Sequence, residues 1–269
     1  MTFDLVTMVS DVEGAEPLTP ERPWLAASVA DPAAFYTALF AATLGARLTR
    51  SKSAPYQGYE LYGDTVARYA AEGRTALCWY DPDEGLRELS YAACHERAGL
   101  LAGRWASLGV APGDAVTVLS ALPDDQLVAF CAALRLGLCV SVLPVMGPAA
   151  LQRRLAALAP AHVAADRLYQ PLLRDLGLSR IPVRAGDGAA APPPRLHTYG
   201  AREPVLTCYS PLAAPNAAVQ SLSADQAILP ALRDGALLLG LRPGDVLAAP
   251  GYDPSQHLPL FLLCTLQIG

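Results

Sequence analysis

The chain is predicted to be an α/β protein with a largely parallel sheet and helices on both faces. Three observations predict it. Short, unbroken apolar runs at Ala115–Leu119, Cys139–Leu143 and His162–Ala165 have the length and composition of strands buried on both faces. Helical patterns over 124–136 and 148–158 separate them, as crossovers between parallel strands require. Glycines stand where helices should stop, at Gly109 and Gly137.

Taken in order, residues 1–61 read as an N-terminal extension with one helix. Glu16-Pro17, Thr19-Pro20 and Arg22-Pro23 argue against regular structure at its start. Asp31 can cap the helix, Pro32 suits its first turn, and Phe35, Leu39 and Phe40 share a face. Residues 45–57 are polar and read as a loop. Residues 62–183 form a first α/β subdomain. Asp64 is expected to cap a helix running to 71. A strand at 75–80 turns through Asp81-Pro82-Asp83-Glu84-Gly85 into a returning strand at 86–89. Ser90 caps a long helix, and Pro112-Gly113-Asp114 makes the turn before the next strand. A further helix is expected over 169–176. Residues 184–203, with Gly186, Gly188 and Pro192-Pro193-Pro194, read as a Pro/Ala/Gly linker, and 204–269 as the start of a second α/β subdomain. There Pro204–Tyr209 is a strand, and Ser223 and Asp225 open a helix toward Leu239 with Pro230 as a kink.

One stretch occurs twice. Leu108-Gly109-Val110-Ala111-Pro112-Gly113-Asp114 is echoed by Leu239-Gly240-Leu241-Arg242-Pro243-Gly244-Asp245, and each copy follows a helical pattern and precedes an apolar run. The echo suggests two similar units, or one helix-to-strand connector used twice.

Composition narrows the function. Of 269 residues, 52% are hydrophobic and only 17% charged, so a large core can be buried and part of the surface is expected to be covered by a partner. The net charge of −5 offers nothing to nucleic acid or an anionic membrane, and no apolar run approaches the length of a membrane span. Lys52 is the only lysine, in the small basic patch Thr49-Arg50-Ser51-Lys52-Ser53. The six cysteines form no C-x-x-C pair and no cluster with histidine, which argues against zinc and for reduced thiols in the cytoplasm. The first ten residues lack the positive charge of a secretory leader.

Several segments together resemble the N-terminal region of adenylate-forming enzymes, the AMP-dependent acyl-CoA synthetases, aryl ligases and adenylation domains. They are Asp64-Thr65-Val66-Ala67-Arg68-Tyr69-Ala70, Thr75-Ala76-Leu77, Glu88-Leu89-Ser90-Tyr91, the 108–116 turn and strand, and Ala133-Leu134-Arg135-Leu136-Gly137. Trp24 and the 31–40 helix resemble the extension of acetyl- and acetoacetyl-type members. The resemblance implies a parallel-sheet domain that ends inside its second subdomain. It also implies a reaction in which a carboxylate attacks ATP to give an acyl-AMP, and coenzyme A then takes the acyl group. Such chemistry needs a glycine- and hydroxyl-rich loop, a lysine and Mg²⁺ around the phosphates.

In the family that loop follows a strand. Here the equivalent positions follow Pro204–Tyr209 without a gap. Tyr209 and Ser210 survive. The first glycine is replaced by Leu212, the hydroxyl pair by Ala213 and Ala214, the second glycine by Pro215, the lysine by Ala218 and the last glycine by Val219. Ser210 and Asn216 offer the remaining side-chain polarity, while Pro211 and Pro215 lack N–H donors. No catalytic residue, metal ligand or cofactor is therefore expected. ATP and Mg²⁺ enter only if the loop has been rebuilt. His257, after the irregular Pro250–Pro254 stretch, matches a residue beside the family's acyl pocket. His95, His162 and His197 show no acid or nucleophile partner. The reading is an inactive pseudo-ligase with a protein partner or a second copy of itself; the alternative is the N-terminal half of a split acyl-CoA synthetase.

Overall fold

The computed structural model describes residues 23–44, 58–186, 192–209, 219–248 and 258–269. Its centre is a six-stranded sheet in the order β6-β5-β3-β4-β7-β8. The strands are β3 (Ala115–Leu119), β4 (Cys139–Leu143), β5 (His162–Ala165), β6 (Ser179–Ile181), β7 (Pro204–Tyr209) and β8 (Val219–Ser223). All neighbours are parallel except β7 and β8. A separate antiparallel hairpin pairs β1 (Thr75–Asp81) with β2 (Gly85–Ser90).

Alternation along the strands builds two cores, because successive side chains point to opposite faces. Val116, Val118, Val140 and Val142 enter the larger core, beneath α4 (Tyr91–Ser107) and α5 (Pro123–Leu136). Leu119, Leu143 and Val163 enter the smaller one, where Leu151 and Leu155 of α6 (Pro148–Leu158) and Leu173 of α7 (Gln170–Asp175) cover them. The predicted helices on both faces are thus present. The buried hydroxyls of Thr117 and Ser141 pair with each other across β3 and β4 at 2.8 Å.

The chain ahead of the sheet supplies α1 (Pro23–Ala30), α2 (Pro32–Leu44) and α3 (Leu61–Thr65). Asp31 accepts from the N–H of Ala34 at 3.1 Å, the expected cap, and Phe35 and Leu39 are fully buried. α1 was not expected. Pro23 stands at its first position, where a missing N–H costs the helix nothing, so the proline opens the helix it was read as forbidding. Asp64 does not cap: it lies inside α3, buried, paired with Arg68 at 2.8 Å. The helix expected to reach 71 breaks at Val66, φ −124°, into a short 3₁₀ turn at Ala67–Tyr69.

Two strands were also missed. β6 is only three residues long, and β8 reads Val-Gln-Ser-Leu-Ser, an exposed edge strand with no apolar run to betray it. Because β7 lies parallel to β4, residues on both sides of the 184–203 segment share one sheet, and 204–223 extend the first sheet instead of founding a second. Residues 192–199 are tied to the core. Arg135 donates to the Pro194 carbonyl at 3.2 Å, and Tyr199 forms an isolated bridge with Tyr59.

The helix toward Leu239 is α8 (Ala224–Arg233), with Pro230 inside it, continued by a π-helical turn at Asp234–Leu238. The final helix is α9 (Leu258–Ile268). The sequence echo is also an echo of geometry. Asp114 accepts from the N–H of Ala111 at 2.8 Å, and Asp245 from that of Arg242 at 2.7 Å. The Gly113 N–H donates to the Gly137 carbonyl at 2.8 Å, and the Gly244 N–H to that of Gly269 at 2.7 Å. Each turn is thereby fastened to the end of a later helix, α5 or α9. The parallel stops at the strand: residues 245–248 are not extended into one, and Val246 is 80% exposed, with no strand beside it among the described residues.

Gly137 holds α5's end at φ 80°, and a Cβ there would lie 2.4 Å from the His197 ring. Gly137→Ala is expected to cost about 3 kcal/mol, combining the left-handed strain with overpacking. Urea unfolding would report it as a lower midpoint with an unchanged slope.

Candidate functional site

The segment that the sequence resemblance matches to the family's phosphate loop, 210–218, is flanked by β7 and β8. Tyr209 pairs with Val219, so the ends of the 210–218 segment are held at neighbouring points of the sheet. Ser210, Leu212, Asn216 and Ala218 lie outside the described residues, as does His257; Tyr209 is the last residue of β7. Around the base of the segment, the Thr207 hydroxyl and Cys139 thiol are 3.1 Å apart. Burial pushes the Cys139 thiol up, and burial beside Cys139 pushes Cys208 up to about 11, so neither supplies a thiolate at neutral pH. β8 runs into α8 through a capping box: Ser223 accepts from the Gln226 N–H and Gln226 accepts from that of Ser223. Ala224, which the sequence resemblance matches to the family's histidine, is fully buried.

The residues present do not fit an ATP phosphate chain with its Mg²⁺. Between the paired ends, the 210–218 segment contains no glycine, no cation and no acid, and two of its residues are prolines. Among the described residues, no group of three or more His, Cys, Asp or Glu side chains could hold a metal ion. Lys52 lies outside the described residues.

The histidines are better partnered than their sequence neighbourhoods suggest. His197 Nε2 is 2.7 Å from Glu203, and His162 Nε2 is 3.4 Å from Asp114, so the absence of acid partners expected for these two is corrected. The pairs brace the 197–203 turn and the foot of β5. His95 Nδ1 lies 3.1 Å from the Tyr62 hydroxyl, and burial, then the nearby Arg135, lowers its pKa and keeps it neutral. Of the six cysteines, Cys78 is exposed and all are free.

The polar chemistry that the structure does gather lies elsewhere, near the C-terminal ends of β3, β5 and β6, where parallel sheets often bind ligands. Asp125, in the first turn of α5, is 1% exposed. Arg97 reaches it at 3.2 Å and Asp124 at 2.9 Å, and Arg184 joins Asp125 to Asp166. Burial raises the Asp125 carboxyl against the pull of Arg184 and Arg97. Next to this network is a hollow of about 560 Å³ lined by Arg104, Arg167, Arg180 and Arg184. Sequence reasoning missed it: the four arginines come from three separate segments, which spacing along the chain does not bring together.

The fold is that of adenylate-forming enzymes. The acetoacetyl-CoA synthetase of Streptomyces lividans superposes with a TM-score of 0.72 at 18% identity, over 97% of this chain and 47% of that one. The acyl-CoA synthetase of Brucella canis gives 0.61 at 20% identity, over 81% and 43%. The adenylation domain of a keto acid-selecting NRPS module gives 0.62 at 14% identity, over 79% and 42%. The chain therefore spans less than half the length of each. No family model and no curated protein matches the sequence.

Removing both guanidiniums from Asp125 has a signed consequence. Its raised pKa means that the folded state favours the protonated form, so the stability it permits is full at low pH and is lost as pH rises through the folded pKa. The arginines oppose that loss. Arg97→Met/Arg184→Met is expected to cost about 2 kcal/mol near neutrality, less than a fully buried pair because both arginines are partly exposed, and markedly less below pH 4. Urea unfolding at the two pH values checks it.

Proposed function

We propose that this chain is a pseudo-ligase: an adenylate-forming fold that acts as a binding or assembly subunit and does not itself activate a carboxylic acid. One observation carries the reading. The segment between the paired ends of β7 and β8, which the sequence resemblance matches to the family's phosphate loop, has none of the glycines and no cation that hold ATP's phosphates. ATP and Mg²⁺ would bind there only if Ser210, Asn216 and the backbone had been rearranged into a different cradle.

Two features support a protein partner or a second copy. Among the described residues β8 is an uncovered sheet edge, and Leu238, Leu239 and Val246 are exposed. Reduced, unpaired thiols fit a cytoplasmic setting. A second reading is the N-terminal half of a split acyl-CoA synthetase, favoured by the match of 97% of this chain to under half of the acetoacetyl-CoA synthetase. In that case another polypeptide supplies the rest of the fold together with a lysine, and the family reaction to acyl-AMP and acyl-CoA belongs to the complex.

Calorimetric titration with millimolar Mg²⁺-ATP is expected to give the same heats for the wild-type chain and for Ser210→Ala/Asn216→Ala. Saturable binding that this double substitution abolishes would show a rebuilt loop and sink the pseudo-ligase reading. Sedimentation velocity at micromolar concentration is expected to show self-association, or a complex with a co-purifying chain. A monodisperse monomer would remove the assembly role.

A further inference from the structure

We propose that the arginine-lined hollow beside β6 is a binding site for a phosphate-bearing small molecule, separate from the 210–218 segment. Its volume of about 560 Å³ suits such a ligand. Four guanidiniums line it and a single carboxylate, Asp166, in a chain whose net charge is −5. Gathering like charges is unfavourable unless something answers them.

Two of the arginines are held in place. Arg180 donates to Gln170 at 2.6 Å and to the Ala165 carbonyl at 2.7 Å, and Arg184 is braced by Asp125 and Asp166. The other two, Arg104 in the last turn of α4 and Arg167 just after β5, have no ion pair among the described residues. The site is thus half preorganised and half unanswered, with donors converging from three segments. Guanidinium forks match the oxygens of phosphate bidentately, and a phosphate or diphosphate group presents enough acceptors to meet several forks at once, where a carboxylate presents two oxygens. Leu108 and Val183 give the hollow an apolar side for the rest of the molecule. β6 and β7 are separated by β5, β3 and β4, so four inter-strand spacings of about 4.8 Å place this site roughly 19 Å from the strand that leads into the 210–218 segment.

The test is calorimetric titration of the full chain with ADP and with inorganic pyrophosphate, both without Mg²⁺. Saturable binding is expected for both, weakening as salt is added. Arg104→Gln/Arg167→Gln should bind at least about tenfold more weakly, since two charge-assisted contacts are lost. Neither arginine has an ion pair to lose, and circular dichroism would confirm that the variant folds. Arg153→Gln, exposed on α6 against the opposite face of the sheet, should bind as the wild type does. Tighter binding of ADP would assign a nucleotide; equal binding would assign a free polyphosphate. No saturable heat in the wild type, or binding that the double variant retains, overturns the proposal. Binding retained by that variant but lost in Ser210→Ala/Asn216→Ala would overturn the empty-loop reading as well.

Discussion

The structure depends on the burial of α5. Nearly every residue from Asp125 to Leu136 is inaccessible to water, so this helix must satisfy its polar groups without solvent. At its start, Asp125 is met by Arg97 from α4 and Arg184 from beyond β6. At its end, Arg135 donates to Pro194 and lies over the Tyr62 ring, while Gly137 turns the chain against His197. Each solution pins a different part of the chain to the helix. The sheet, the α4 layer and the 192–199 strap are held in register by the same requirement.

That arrangement separates what holds the fold from what would perform chemistry. The Arg97–Asp125–Arg184–Asp166 network lies on the side of β5 and β6. The strands that flank the 210–218 segment, β7 and β8, lie at the opposite side of the sheet. Likeness of fold therefore does not by itself carry an activity over to this chain, because fold and site are carried by different residues.

Much of the fold was legible because its strands are buried on both faces. β3, β4, β5 and β7 stand where their apolar runs place them, and Ser90, Ser223, Gly109 and Gly137 mark helix ends as their conformational preferences dictate. The failures share a cause, which is dependence on distant neighbours. β6 and β8 are strands because a partner lies beside them, not because of their own composition. Asp64 is a buried ion-pair partner because Arg68 is one turn away and the surroundings are closed, where its position before a helical pattern suggested a cap. The His197–Glu203 pair and the four-arginine hollow are products of tertiary convergence, which spacing along the chain does not encode. The candidate loop was legible only as a substitution pattern. That pattern identifies the missing donors without describing the path of the backbone.

The pairing of Tyr209 with Val219 has an evolutionary consequence. When flanking strands already hold the two ends of a connection together, closing it adds little conformational cost whatever residues it contains. Selection for folding then barely constrains the segment. Prolines, alanines and a leucine can fill such a connection while the scaffold around them persists. A frame of this kind lets the residues of a connection change without cost to the architecture around it.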